Sequence, residues 1–222
     1  MTLSMLQSSS TPFGSLWLVE KDIVSDTLNA GKHWDSHVYE ALEAYLRADA
    51  AAIDVGANVG AHALRFAQVA QEVICFEPHP VMQFCLRQNL CDHAKARWTV
   101  RNGLYSRPVA LRVRPEEGNS PSSLTWLPAG EYEVLDARPY FTKHRVSVIK
   151  VDAQGADLHC LLGLEQIILR DRPAIVFEFE EKLAELHGHA WQDYARTLGE
   201  WGYSWALVKE DHEDYLATWR EK

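Results

Sequence analysis

The residues of this chain that could do chemistry gather where apolar runs end. Ile53-Asp54-Val55-Gly56-Ala57-Asn58-Val59-Gly60 takes an apolar run into a carboxylate, then a glycine turn, then a helix-like pattern. That order describes a strand, a tight loop and a helix N-terminus, the place where α/β folds hold nucleotide-type cofactors. Dinucleotide folds use G-x-G-x-x-G, whose glycines let the backbone approach a pyrophosphate. Here the glycines read G-x-x-x-G, with Asp54 ahead of them. A carboxylate beside the first turn suits a ligand that brings no phosphate there. S-adenosylmethionine (SAM) is such a ligand, because its methionine end carries an ammonium and a sulfonium.

Three more apolar runs end in a carboxylate: Glu77, Asp152 and Glu178. Singly, an Asp or Glu after a strand is more often a helix cap or a solvated loop residue. Four such ends are a different matter, since ligands of open α/β sheets lie outside the carboxyl ends of the strands. Glu77 follows the glycine loop by about twenty residues, the spacing at which a carboxylate accepts from ribose hydroxyls. That spacing serves SAM and NAD equally. Lys150 and Asp152 lie two apart on one strand and its exit, so they share a side. Lys150 is either the counter-ion of a buried carboxylate or a member of a reacting cluster with Asp152 and Glu178. Glu178 shares a face with Glu180 and is flanked by Phe177 and Phe179. An apolar setting raises a carboxyl pKa and makes it a usable base near neutrality.

The elements that must position these residues follow from the apolar periodicity. Strands are expected at Ala51 to Val55, Glu72 to Phe76, Trp98 to Val100, Val146 to Val151, Ala174 to Phe179 and Tyr203 to Val208. Helices are expected at Trp34 to Leu46, Val59 to Ala70, Val81 to Leu90, Asp157 to Leu169 and Trp191 to Trp201. Alternation of this kind predicts an α/β fold, a single Rossmann-like domain with a mostly parallel, seven-stranded-type sheet covered on both faces. Residues 51–222 are expected to form that domain and residues 1–50 an N-terminal extension packed on it. In the extension, Met1 to Thr11 reads as a frayed tail. A hairpin is expected within Pro12 to Leu28, turning at Glu20-Lys21-Asp22. Val109 to Val113 alternates like an added antiparallel strand. Pro115 to Gly130 reads as a long irregular loop, and the apolar Leu124, Trp126 and Leu127 suit a lid whose Trp126 and Ser123 touch substrate.

Composition removes several classes of function. The chain has 222 residues and a formal net charge of -9, which repels phosphate backbones and argues against nucleic acid as a partner. Its four cysteines form no C-x-x-C pair, so a reduced, cytoplasmic chain is expected. No secretory pattern opens the sequence and no run is long enough to span a membrane. No metal set emerges either. His33 and His37 share a helical face without further ligands in view, and His187-Gly188-His189 reads as a turn.

Taken in order, these segments resemble the FkbM-type methyltransferases, a branch of the SAM-dependent Rossmann-like enzymes. The resemblance rests on Ile53 to Gly60, Phe76-Glu77-Pro78-His79-Pro80, Ile149-Lys150-Val151-Asp152-Ala153-Gln154-Gly155-Ala156-Asp157, Leu161-Leu162-Gly163, and Pro173 to Phe179. Ser25 to Leu28 and Gly31 to Trp34 fit the family's upstream segment. The resemblance implies that Asp54, Gly56, Asn58 and Gly60 line the methionine end of SAM. It implies Glu77 at the ribose, Asn102 and Gly103 near the adenine, and Asp152 beside the reacting end. It also implies O-methylation of a hydroxyl on a small molecule such as a natural product, sugar or peptide-derived metabolite. This chain has Gln154 where the family has Glu, which removes a charge from the central site. Two other readings compete. A non-catalytic SAM-binding partner protein would explain Gln154, and an NAD-dependent oxidoreductase would want the absent G-x-G-x-x-G. Nothing in the sequence sets an oligomeric state or names the acceptor.

Overall fold

The computed structural model describes residues 5–11, 13–114, 125–128 and 135–220. The chain opens with an antiparallel hairpin, β1 (Met5–Thr11) and β2 (Gly14–Val19), then α1 (Ile23–Asn29) and α2 (Ser36–Glu43). The first half of the main sheet follows as β3 (Ala51–Val55), α3 (Ala61–Phe66), β4 (Glu72–Phe76), α4 (Pro80–His93) and β5 (Arg97–Arg101). Four strands then form a separate sheet: β6 (Gly103–Leu104), β7 (Val109–Arg114), β8 (Thr125–Pro128) and β9 (Leu135–Arg138). The chain returns to the main sheet with β10 (Val146–Val151), α5 (Asp157–Gly163), α6 (Glu165–Asp171) and β11 (Ala174–Glu178). It closes with α7 (Glu181–Leu186), α8 (Trp191–Glu200), β12 (Tyr203–Leu207) and β13 (Asp214–Trp219).

The main sheet has seven strands in the order β12-β13-β11-β10-β3-β4-β5. All pairs are parallel except those of β13, which runs antiparallel to β11 and β12. Strand order reverses between β3 and β10, which opens a crevice at their carboxyl ends. Both central strands are buried along their whole length, as two covered faces require. One apolar layer holds Ala52, Leu64, Leu86, Val148 and Val176. The other holds Ile53, Val55, Ile149, Val151, Leu161 and Phe177. This is a Rossmann-like class I methyltransferase fold. Among the described residues no helix is long and apolar enough to cross a membrane.

Ahead of β3, the described residues Leu16, Leu18, Val24, Leu28, Val38 and Leu42 pack into the first layer. Buried Asn89 of α4 joins them to the core. Its Oδ1 accepts from Trp17 N at 2.7 Å, and its Nδ2 donates to Trp17 O at 3.0 Å and to Val59 O at 2.8 Å. A buried amide with each contact satisfied specifies one docking geometry for the hairpin.

Several sequence expectations need correction. The hairpin lies upstream of its expected place: Met5–Thr11 is its first strand rather than a tail, and Ile23–Asn29 is helical. Asp22 explains the helix, since its side chain caps α1 by accepting from Ser25 N at 2.9 Å. The helix expected over Asp157 to Leu169 breaks at Leu164. Gly163 lies so close to Tyr105 that a Cβ there would stand 2.7 Å from its carbonyl oxygen, and Gly163 O accepts from Tyr140 N at 2.9 Å. The stretch Pro115 to Gly130 is not wholly irregular. Thr125–Pro128 is β8, with Trp126 paired opposite Val113 on β7. Residues 115–124, Ser123 among them, and 129–134 lie outside the described residues.

Candidate active site

A cavity of about 280 Å³ opens at the carboxyl ends of β3, β4 and β10. Its floor is the loop after β3, and that loop is tied to the end of β4. Gly56 N and Ala57 N donate to Phe76 O at 2.9 and 3.2 Å. Asn58 N donates to Glu77 Oε2 at 2.7 Å, and His79 N donates to Glu77 Oε1 at 2.7 Å. Gly56 is obligatory. Its φ is +70°, and a Cβ there would stand 1.7 Å from Asp152 O, so the two loops touch backbone to backbone. Glu77 is 6% exposed, and burial pushes its carboxyl up to about 7 against the two N–H donors that favour the anion. Each carboxylate oxygen can accept more than one hydrogen bond, so both keep capacity for a ligand diol.

Lys150 sits under the junction of the two loops. Its ammonium donates to Gly56 O at 3.0 Å and Val55 O at 3.3 Å, and lies 3.2 Å from Asp152 Oδ2 and 3.5 Å from Asp54 Oδ1. Burial alone would lower its pKa, but Asp152 and Asp54 outweigh that and hold the charge. Asp54 is fully buried and is pushed up to about 6 by burial, which Lys150 opposes. Neither oxygen of Asp54 meets a hydrogen-bond donor in good geometry, so Lys150 is its charge partner.

The ends of β10 and β11 meet beside Lys150. Gln154 Nε2 donates to Asp152 Oδ1 at 3.2 Å and to Glu178 Oε2 at 3.4 Å, so one amide bridges two carboxylates. Asp157 Oδ1 and Oδ2 accept from Ala153 N and Gly155 N, both at 3.0 Å, which folds the loop carrying Gln154. Asp157 is pushed up to about 7 by burial and then by Asp152. Glu178 is raised well above the ordinary carboxylate range by burial, with Asp152, Asp157 and Asp214 adding to it. A Glu in place of Gln154 would bring another anion into this group, whereas the amide brings two donors. The neutral residue is therefore the fitting partner for two carboxylates at this distance.

The structure brings together Gly56, Asn58, Glu77, Gly103, Lys150 and Asp152 around the cavity. Asp54 and Gly60 do not line it: Asp54 lies behind the loop with Lys150, and Gly60 is the N-cap of α3. Asn102 faces an adjoining hollow with Arg101 and Tyr140, where its Oδ1 accepts from Gln83 Nε2 at 2.9 Å. Glu178 stands beyond the cavity wall and is joined to it through Gln154. Sequence reasoning missed His62 of α3 and Trp34 of the extension, which both line the cavity. His62 is 4% exposed, its Nδ1 meets no partner, and burial holds it neutral. Its place one turn after the glycine loop was the available signal. Asp35 and Asp214 were also missed, and His37 was read only beside His33; no local spacing connects His37 with Asp214, 177 residues away.

The residues present fit SAM. A cradle that only glycine can form, a buried carboxylate at the β4 end and an unpartnered imidazole line one cavity. Residues 54–204 match the Methyltransferase FkbM domain. This chain belongs to that family and is a SAM-dependent methyltransferase, a class of enzyme that converts SAM to S-adenosylhomocysteine (SAH). Among solved structures it is similar to the methyltransferase FkbM from Methylobacillus flagellatus, at 16% identity and a TM-score of 0.50 over 78% of this chain. It spans 44% of that structure's length. It is similar to a TehB-like SAM-dependent methyltransferase from Corynebacterium glutamicum, at 13% identity and a TM-score of 0.50, covering 89% of this chain and 93% of that one. SMU.1697c from Streptococcus mutans, solved in complex with SAH, matches at 13% identity and a TM-score of 0.50, covering 82% and 93%. No curated protein matches the sequence.

Proposed function

We propose that the enzyme methylates a hydroxyl on a small molecule, with the acceptor entering over Asp152, Gln154 and Glu178. The observation that carries this reading is the Gln154 amide bridging Asp152 and Glu178 at 3.2 and 3.4 Å beside the cavity. A hydroxyl must lose a proton as it takes a methyl group, and Glu178, raised by its surroundings, is the base suited to it. Lys150 is a positioning residue: it is held on four partners, keeps its charge and fixes the two loops against each other. Bound SAM supplies an electrophilic methyl group for in-line displacement. Glu77 accepts from its ribose, Gly56 and Asn58 shape the floor, and His62 offers its free nitrogen. Residues 1–50 act as an extension that builds the acceptor wall, since Ile23, Val24 and Trp34 line the cavity. The carboxylates of the acceptor side and the chain's net charge of -9 favour a small, uncharged or cationic acceptor over nucleic acid. A screen of hydroxylated metabolites with methyl-labelled SAM tests this. Label is expected in an ether product, and label confined to RNA or protein would exclude the reading.

A further inference from the structure

His37 lies in the first turn of α2, His212 in the turn before β13 and Asp214 at the first position of β13, and the three meet beside Glu178 of β11. His37 Nε2 lies 2.7 Å from Asp214 Oδ2, and the rings of His37 and His212 are 4.1 Å apart. One ligand atom from each of the three falls within 4.8 Å of the others. All three side chains are half-buried, so the group is open to solvent on one side. We propose that His37, His212 and Asp214 bind one divalent transition ion, of the zinc type, at this place.

The ligand chemistry selects the ion. Two imidazoles and one carboxylate suit zinc and its neighbours, and three protein ligands leave a position for water or substrate. Magnesium and calcium prefer all-oxygen sets. A plain ion pair between His37 and Asp214 makes no use of His212, whose ring lies tilted at 54° against that of His37, whereas a shared ion uses both rings. The surroundings point the same way. Asp214 lies opposite Glu178 in the pairing of β11 with β13. Lys150, the buried cation of the neighbouring strand, is engaged by Asp54 and Asp152, which leaves the Asp214 carboxylate to the two imidazoles and a shared ion.

The role of the ion rests on the O-methylation reading above. Its open position would take the acceptor oxygen and ease removal of the proton. The O–H bond breaks with its proton passing to the Glu178 carboxylate. The oxygen lone pair forms the new O–CH₃ bond, while the S–CH₃ bond breaks and its electrons remain on sulfur.

The test uses the full chain, stripped with a chelator and dialysed, then titrated with Zn²⁺ and with Co²⁺, whose visible bands report the ligand set. One ion per chain is expected, with Mg²⁺ failing to compete. His212→Ala sits in a half-exposed turn and spares the core; Asp214→Asn keeps the side chain's size. Each should weaken Zn²⁺ binding at least about 100-fold, since even groups that only orient ligands are worth about 10–100-fold. SAH affinity in the same samples should stay within about twofold. Failure to bind Zn²⁺ or Co²⁺ at micromolar levels, or unchanged binding by both variants, would overturn the site. Full turnover by metal-free enzyme would overturn its role. SAH binding without metal binding would remove the ion site and leave the methyltransferase. Metal binding without ether formation from any hydroxyl acceptor would keep the ion site and remove the O-methylation reading.

Discussion

The two ends of the crevice are built from different materials. At the β3–β4 end the contacts are mostly backbone and stay within two neighbouring strands of one β–α–β unit: Gly56 and Ala57 bond to Phe76, and Glu77 gathers the N–H groups of Asn58 and His79. At the β10–β11 end they are side chain to side chain. Lys150, Asp152, Gln154, Glu178, His37 and Asp214 come from four distant stretches of chain. Backbone geometry tolerates little change, so the first end suits a cofactor that never varies. Side-chain clusters can be altered one residue at a time, so the second suits an acceptor that differs between enzymes.

The contrast can be broken most severely at Gly56. In Gly56→Ala the new methyl would stand 1.7 Å from Asp152 O, between two backbones that cannot part cheaply. Overpacking and a positive φ together should cost more than about 3 kcal/mol, a large share of an ordinary domain's stability. Urea unfolding checks this, and SAH binding should vanish with it. Next comes Lys150→Met, which leaves Asp54 buried without its cation. Removing one partner of a buried pair costs about 3–5 kcal/mol. The loss should appear in stability first, and a variant that folds normally but turns over slowly would restore Lys150 to a direct chemical role.

Glu77 gives a smaller effect with a pH signature. Glu77→Ala should weaken SAH binding roughly 10- to 100-fold, the worth of a charge-assisted hydrogen bond. Its folded pKa of about 7 is raised above the ordinary carboxylate value. The fold therefore holds this proton where the unfolded chain does not. The group favours folding at acid pH, and that contribution is lost as pH rises through about 7. Diol binding wants the anion, so SAH affinity should fall roughly tenfold from pH 8 to pH 6 and become flat in Glu77→Gln. A flat wild-type profile would remove Glu77 from the ribose.

What could be read from the sequence follows the same division. The strands at Ala51–Val55, Glu72–Phe76 and Val146–Val151 stand where apolar periodicity places them, because their burial is continuous. The glycine loop and Glu77 are short-range features and were legible. Asp54 was misplaced at the cavity because a strand-end carboxylate can face the ligand or the lysine on the next strand, and only register decides. His37 and Asp214 are 177 residues apart, so no spacing rule could join them. The short helix Glu181–Leu186 and the strand Asp214–Trp219 were passed over, being set by tertiary pairing more than by pattern. The family resemblance is confirmed over residues 54–204.

Glu178→Gln tests the division most directly. The variant keeps the side chain's shape and its place near Gln154 but removes the proton acceptor. Measured together on one preparation, methyl transfer to an identified hydroxyl acceptor should fall about 10²- to 10⁴-fold, the usual contribution of a general base, while SAH affinity stays within about twofold. Parallel loss of both would show that the two ends are one site, and an unchanged rate would remove Glu178 from the chemistry.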